Sequence, residues 1–182
     1  MSTITARMSI EEYLSYEAPP GFRDELIEGE VILSPDPKPL HSTICKNLLI
    51  ILDELLKGSS YAACLATNMA LKEDDSMPSP DLFVIDNNRW AAAIREDRYP
   101  EGSPQLAIEV YSPSNRPGLV RKKIELYLKN GSAAVWVIYP KRRAVVVHEQ
   151  SDVTAEYRDG EKLPLPAELS NSTIEVSKIF AF

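Results

Sequence analysis

Two acidic residues that stand in apolar, strand-like segments constrain the fold of this chain more than any other feature. Asp81 begins one short apolar run, and Glu109 lies inside the strand-like run 105–111. A charged side chain in an apolar strand is costly unless it is paired or bound to a metal ion. A helix-like segment that carries Lys123 follows directly. Two acids and a lysine on neighbouring elements are the groups needed for metal-assisted hydrolysis of a phosphodiester.

The composition is that of one globular domain. The 182 residues, 44% of them hydrophobic, suffice for one good core and are few for two, so we expect a single domain over residues 1–182. No apolar run approaches the roughly 20 residues of a membrane span, and the first residues contain no apolar signal region. Cys45 and Cys64 are too few for a disulfide framework or a zinc set, which favours reduced core thiols and a cytoplasmic location.

The net charge of −7 bears on the possible partners. Non-specific binding to a polyanion needs a basic surface, so the charge counts against tight DNA binding by an isolated monomer. It does not exclude a nuclease, because carboxylates that hold a metal ion count toward the total while the cation does not.

Apolar spacing and turn residues predict the order of helices and strands. A capping-box pattern at Ser9 to Glu12 predicts a short helix over about 10–17. The predicted strands and helices, in chain order, are a β-hairpin over 25–33 that turns at Glu28-Gly29, a helix from 41 to about 57, strands over 61–72 and 81–85, an irregular segment 87–103, a strand over 105–111, a helix over 119–130, and strands over 133–139, 144–149 and 153–157. This order predicts an α/β fold of the mixed α+β kind, with a mixed sheet flanked by helices behind an N-terminal helix and β-hairpin.

The ordered motifs resemble a known family. They are Arg23-Asp-Glu25-Leu-Ile-Glu-Gly-Glu30, Ser34-Pro35, His41, Pro80-Asp81-Leu, Glu109-Val-Tyr-Ser-Pro-Ser114, Lys123-Ile-Glu-Leu-Tyr127 and Gly131-Ser-Ala-Ala-Val-Trp136-Val-Ile-Tyr-Pro140. Over about residues 8–150 the chain is similar to the Uma-type family of putative restriction endonucleases, a branch of the PD-(D/E)xK nuclease superfamily. Each motif alone is weak, and the whole series in order is specific.

The resemblance implies a restriction endonuclease-like core with a Mg²⁺ (or Mn²⁺) site at Asp81 and Glu109. Members of the superfamily normally carry lysine two residues after the second acid, where this chain has Tyr111. In this branch the lysine stands on the following helix, which makes Lys123 the third catalytic residue. The turn over 134–139 departs from the family pattern, because Ala, Val and Tyr replace a usual Glu, Tyr and Asp.

Helix geometry separates the two adjacent lysines. At about 100° per residue, Lys122 points nearly opposite the apolar stripe and Lys123 lies on its flank, from where it can reach inward. The residues that define this predicted stripe are Val120, Ile124, Tyr127 and Leu128.

Five further residues are candidates for the site. Glu25 and Glu30 of the hairpin could bind metal or orient a ligand, or they could be solvated at a strand edge. His41 could serve the site or could be a packed residue at the start of its helix. Gln105 and Tyr111 could support the site indirectly, by contacting the residues that bind the ligand.

Weak candidates for contact with nucleic acid lie on the segment 116–129. Arg116, Arg121 and Lys122 could meet backbone phosphates there. The basic triplet 141–143 lies at a predicted hairpin turn, where exposed charge is common.

The sequence supports one main hypothesis and two alternatives. The first is a Mg²⁺-dependent endodeoxyribonuclease that hydrolyses phosphodiester bonds in DNA, with Asp81, Glu109 and Lys123 as catalytic residues and a homodimer as the expected assembly. The second is a catalytically silent protein with the nuclease fold that serves in binding or dimerisation. The third, a hydrolase of small phosphate esters, lacks a glycine-rich phosphate loop to support it.

Overall fold

A β-hairpin and a long helix precede the central sheet. The computed structural model describes residues 7–112, 116–151 and 154–181. The first elements along the chain are helix α1 (Ile10–Tyr13), strands β1 (Phe22–Ile27) and β2 (Glu30–Pro35), and helix α2 (Pro39–Leu55). Strands β1 and β2 pair antiparallel, with Ile27 opposite Glu30.

Six strands form the central sheet. They are β3 (Tyr61–Leu65), β4 (Leu82–Asp86), β5 (Leu106–Val110), β6 (Ala134–Tyr139), β7 (Ala144–Glu149) and β8 (Thr154–Arg158), and they follow one another in this spatial order. Helix α3 (Asn87–Arg95) follows β4, and helix α4 (Pro117–Lys129) connects β5 to β6. The chain ends with β9 (Lys162–Pro164), β10 (Thr173–Glu175) and α5 (Val176–Ile179).

The sheet is mixed, as predicted. Strands β5 and β6 pair in parallel, and every other neighbouring pair is antiparallel. A parallel pair needs a long crossover, and α4 supplies it.

The two faces of the sheet carry separate apolar layers. One face packs against α2 and the C-terminal segment, with Leu48, Val84, Ile108 and Trp136 in the same cluster. The other face is covered by α4, where Tyr127 packs against Ala107 and Val135. Side chains alternate along a strand, so Glu109 shares the face of Ala107 and lies beneath α4.

The hairpin turns where the sequence predicts. Glu28 and Gly29 have φ values of 50° and 77°, and a two-residue hairpin turn of this kind needs positive φ at both positions. A Cβ atom on Gly29 would come within 2.8 Å of the Arg7 side chain, so packing also requires glycine. The Met77 N–H donates to the Leu26 carbonyl at 2.7 Å, which ties the hairpin to the segment before β4.

Three boundaries differ from the sequence prediction. The strand predicted over 61–72 ends at Leu65, because its partner segment contains Pro78 and Pro80, which have no N–H to donate. The segment 87–103, predicted to be irregular, begins with helix α3, which the Asp86 side chain caps by accepting from two backbone N–H groups. The first helix stops at Tyr13. It buries only that residue, so it has no extended apolar face that would stabilise further turns.

Two findings concern the cysteines and the membrane. Cys45 lies in α2 and Cys64 in β3, and both are free thiols, as predicted. Within residues 7–112, 116–151 and 154–181, none of the helices has the length and apolar character needed to cross a membrane.

Candidate active site

Asp81 and Glu109 are cross-strand neighbours. The antiparallel register pairs Leu82 with Ile108, and its continuation places Asp81 opposite Glu109. Opposite residues of an antiparallel pair point to the same face. The Val110 N–H donates to Asp81 Oδ2 at 2.8 Å, which fixes the orientation of that carboxylate. Both acids line one cleft of about 810 Å³.

Lys123 reaches this pair from α4. Its side chain is only 7% exposed, and its Nζ lies 2.7 Å from Glu109 Oε1 and 2.7 Å from Glu25 Oε1. The same ammonium donates to the Ser79 carbonyl at 3.2 Å. Lys123 therefore bridges a carboxylate of the hairpin and a carboxylate of the central sheet.

The two lysines separate as the helix geometry predicts, but the phase of the helix differs. Lys122 is exposed and pairs with Glu28 at 2.7 Å. Lys123 lies within the buried stripe rather than on its flank, and the fully buried residues beside it are Leu126 and Tyr127. Val120, Ile124 and Leu128 are half-buried. The phase differs because the hairpin places Glu25 against the helix, where it receives the ammonium.

Asp81 is surrounded by cationic and hydrogen-bonding groups. His41 Nε2 lies 3.1 Å from Asp81 Oδ1, and a guanidinium nitrogen of Arg23 lies 3.8 Å from the same oxygen. Burial alone would raise the pKa of Asp81, but the hydrogen bond and charge of His41, with Lys123, outweigh it and lower that pKa. Asp81 is therefore held as a carboxylate.

Cys45 sets the orientation of the histidine ring. Its Sγ lies 3.6 Å from His41 Nδ1, one helical turn along α2. Burial raises the pKa of Cys45 to about 12, so the thiol keeps its proton and can donate it to Nδ1. On the other side of the ring, His41 Nε2 faces Asp81 Oδ1 at 3.1 Å and donates its proton to that carboxylate.

The environment of Glu109 differs from that of Asp81. Burial raises the pKa of Glu109, and the charges of Asp81 and Glu25 add to this effect, against the opposing charge of Lys123. The Tyr127 hydroxyl donates to Glu109 Oε1 at 3.0 Å. For Lys123 itself, burial would lower the pKa, but the neighbouring carboxylates raise it above the ordinary lysine value.

The donor chemistry of the cleft fits a hard divalent cation. Carboxylate oxygens are the ligands that Mg²⁺ prefers, and Asp81 and Glu109 present them on one face. Among the described residues there is no group of three or more His, Cys, Asp or Glu side chains arranged to hold a metal ion. Between Glu25 and Glu109 the positive charge is supplied instead by the Lys123 ammonium.

Three of the weaker predicted site residues do not line the cleft, and a role for them at the site stays a prediction. Gln105 precedes β5 and its Oε1 accepts from the Asp86 N–H at 3.0 Å, so it supports the start of α3. The ring of Tyr111 packs against Tyr139 with centroids 5.0 Å apart, because β6 runs beside β5 in parallel. Glu30 is exposed on β2 and does not line the cleft.

Of the basic residues predicted to contact nucleic acid, one lines the cleft and two lie outside it. Arg116 lines the cleft, whereas Arg121 is exposed outside it and Lys122 is paired with Glu28. In the basic triplet, Arg142 pairs with Glu156 and Arg143 with Asp159. The triplet therefore follows the expectation for charge at a turn.

Sequence reasoning missed two side chains of the site. Arg23 belongs to a quoted motif, but its position opposite Asp81 depends on where the hairpin docks. Tyr127 is predicted from its spacing as a buried residue, and spacing carries no information on the partner of its hydroxyl.

A solved structure shares this fold. The crystal structure of a putative nuclease belonging to DUF820 from Anabaena variabilis ATCC 29413 superposes with a TM-score of 0.81 at 24% sequence identity. The alignment covers 95% of this chain and 97% of that one. That structure therefore shares the mixed sheet with its flanking helices, and the predicted mixed α+β fold class is confirmed.

The family model gives the relationship in sequence. It matches residues 10–177, and the chain belongs to the Uma2 family, described as "putative restriction endonuclease". No curated protein matches the sequence. The family supports a nuclease as the class of function.

Removal of divalent cations is expected to leave the fold intact. The core is large enough to stand without a metal, and Lys123 already neutralises part of the carboxylate charge. Thermal melts in EDTA and in Mg²⁺ should therefore differ only by the few degrees that ligand binding adds. A melting temperature that collapses in EDTA would make the cation structural and would contradict a catalytic role.

Proposed function

We propose that this protein is a Mg²⁺-dependent endonuclease, also active with Mn²⁺, that hydrolyses phosphodiester bonds in DNA. The observation that carries the proposal is the meeting of Asp81, Glu109 and Lys123 in one cleft, from the residue that precedes β4, from β5 and from α4. A buried lysine next to two carboxylates is expensive to maintain for stability alone, since apolar residues could fill the same space at lower cost.

Each side chain has a role in this proposal. Asp81 and Glu109 would hold the cation, which when bound supplies Lewis-acid activation of the phosphate and of water. Asp81 is pre-oriented by His41 and by the Val110 N–H. The Lys123 ammonium would stabilise the negative charge that develops on the phosphate as water attacks and the bond to the leaving strand breaks.

Glu25 would position Lys123 rather than touch the substrate. Its Oε1 accepts from the Ser79 N–H at 2.6 Å and from Lys123 at 2.7 Å, so the hairpin carboxylate holds the ammonium toward Glu109. Arg23 and Arg116 line the same cleft and would contact the phosphate backbone.

A second candidate function has its own supporting observation. Lys123 pairs with both Glu25 and Glu109, so the buried charge is compensated without a metal ion. Together with the net charge of −7 and the altered turn over 134–139, this arrangement favours a catalytically silent protein that serves in binding or dimerisation.

The assembly and location remain predictions. Cutting both strands of a duplex is most simply done by a two-fold dimer, so we expect a homodimer on a duplex substrate. Sedimentation with and without DNA measures this directly. The cytoplasmic location expected from the free thiols is likewise a prediction.

The deciding experiment is a cleavage assay on plasmid and single-stranded DNA with Mg²⁺ or Mn²⁺. Asp81→Asn is expected to lower the cleavage rate by more than about 100-fold, because changes even in groups behind a metal ligand cost about 10- to 100-fold. Asp53→Asn is the matched control, since Asp53 is exposed on α2 away from the cleft. Wild-type protein that binds Mg²⁺ but leaves every substrate intact would decide for the silent alternative.

A further inference from the structure

Exposed apolar side chains are concentrated in the cleft that holds the acidic residues. Among the described residues, eight large hydrophobic side chains are exposed, and four of these, Leu14, Phe22, Leu33 and Tyr99, line this one cleft. Phe22 is 47% exposed and Tyr99 is 42% exposed, so ring surface on both is open to a ligand.

A third aromatic ring lines the same cleft. Tyr16 also lines the cleft, and its ring stacks on the buried Tyr13 with centroids 6.3 Å apart and an interplanar angle of 15°. Asn68 donates to the Tyr13 hydroxyl at 3.3 Å, which anchors the Tyr13 ring. We define Tyr16, Phe22 and Tyr99 as the aromatic wall of the cleft.

Strand β1 connects the aromatic wall to the acidic residues. Side chains alternate along a strand, so Phe22 leaves β1 on one face while Arg23 and Glu25 leave it on the other. Arg23 approaches Asp81, and Glu25 holds Lys123. All of these side chains line the same cleft, so one strand carries both an aromatic side chain and residues that contact the proposed catalytic groups.

The charge of the cleft is poorly suited to a duplex. The lining cations are Arg23, Lys38, Arg116 and Lys123, and the lining acids are Asp24, Glu25, Asp36, Asp81 and Glu109. Lys123 is already bound by two of these acids. With Lys123 and its two partner acids set aside, the described lining residues include three cations and three acids. Duplex binding gains its affinity from many phosphate contacts, and three cations balanced by three acids supply few.

An unpaired strand exposes base faces that a duplex covers. Base faces in a duplex are covered by neighbouring bases, so a protein ring can stack only on a base that is unpaired or extruded. Proteins that bind single strands combine cationic contacts to the backbone with aromatic side chains on which bases stack, and this stacking tolerates any base. The aromatic wall provides this interaction where phosphate contacts are scarce.

We propose that the cleft takes DNA as an unpaired strand, with bases stacked on the aromatic wall and the phosphate backbone directed toward Asp81 and Lys123. The substrate would be single-stranded DNA or an unpaired segment of a duplex. The cleavage part of this inference rests on the proposed nuclease function, whereas the binding part does not. One active site suffices for one strand, so a monomer can serve this substrate.

Binding is tested first, without turnover. Fluorescence anisotropy measures affinity for a labelled single strand of about 12 nucleotides and for its duplex. The wild-type protein is measured in EDTA, and the Asp81→Asn variant is measured in Mg²⁺. We expect the single strand to bind at least about tenfold more tightly than the duplex. Phe22→Ala should weaken single-strand binding on the order of tenfold, as the loss of one stacked base would.

Matched variants identify the interaction. Phe22→Trp retains a stacking face and should retain affinity, whereas Phe22→Leu keeps apolar area without the ring and should behave like Phe22→Ala. Ile50→Ala removes an exposed apolar side chain outside the cleft and should change nothing. Duplex binding as tight as single-strand binding, or equal losses from Phe22→Ala and Ile50→Ala, would overturn the inference.

Cleavage in Mg²⁺ then separates the two proposals. Faster cutting of the single strand than of the duplex, reduced by Phe22→Ala, supports both. Faster cutting of the duplex overturns the unpaired-strand inference and leaves the nuclease function standing. Ring-dependent binding of the single strand with no cutting of any substrate supports the inference and rejects the catalytic proposal.

Discussion

Lys123→Ala is expected to lower the free energy of unfolding by about 3–5 kcal/mol, the usual cost of removing one partner of a buried ion pair. The Lys123 side chain is buried and its ammonium compensates both Glu25 and Glu109. Without it, two carboxylates share a buried site with no cation between them. Chemical denaturation with urea at pH 8 measures the loss.

The loss should depend on pH in a defined direction. Burial raises the pKa of Glu109 above its ordinary value, so its favourable contribution is present below the unfolded-state pKa and is lost as pH rises through the folded-state pKa. Removing Lys123 enlarges this loss. The variant should therefore be closest to wild type at about pH 5 and furthest from it at about pH 8.

Two control variants test the electrostatic cause. Lys122→Ala should change the free energy of unfolding by less than about 0.5 kcal/mol, because Lys122 and Glu28 are both substantially exposed. Adding Glu25→Gln and Glu109→Gln to Lys123→Ala should recover part of the stability, since neutral amides replace the uncompensated charges. A Lys123→Ala variant as stable as wild type at pH 8 would contradict this account.

Periodicity predicted those parts of the site that depend on a single element. The alternation of side chains places Glu109 on the covered face of its strand, and the helix period separates Lys123 from Lys122. Both follow from backbone geometry over a few residues, which sequence reports directly. The hairpin turn at Glu28-Gly29 was predictable for the same reason.

Contacts between distant segments were not predictable in this way. Glu25 and Lys123 are 98 residues apart, and their meeting depends on where the hairpin docks. That docking uses a hydrogen bond from the Met77 N–H to the Leu26 carbonyl. Every residue except proline has both backbone groups, so the sequence does not mark which ones pair. The sequence therefore indicated that Glu25 was a candidate without indicating that it would hold the lysine.

Helix α3 begins at a local sequence signal. Asp86 is an ordinary capping residue, and its side chain accepts from the N–H groups of Asn88 and Arg89. The polar composition of 87–103 predicts an irregular segment, whereas the Asp86 cap indicates the start of a helix. Arg89 donates to the carbonyls of Glu101 and Ser103, so a polar face on this helix is used to hold the following loop.

Cleavage should distinguish the two adjacent lysines more sharply than stability does. Lys123→Ala is expected to reduce the cleavage rate by about 10²- to 10³-fold, the cost of removing one group that stabilises charge developing in the transition state. Lys122→Ala should weaken DNA binding only slightly, because Lys122 points to solvent and already pairs with Glu28. Any such weakening should fade as salt rises, as expected for a phosphate contact.

The measurement must separate lost chemistry from lost folding. Rates are compared at a temperature and pH at which circular dichroism shows every variant folded, with substrate in excess of the dissociation constant. Under these conditions a loss confined to Lys123→Ala assigns the charge to the reacting phosphate. Equal losses from both substitutions that appear only below saturating DNA would mean that the two lysines act together through backbone binding. Full activity in Lys123→Ala would remove the lysine from the mechanism and leave Asp81 and Glu109 to act without it.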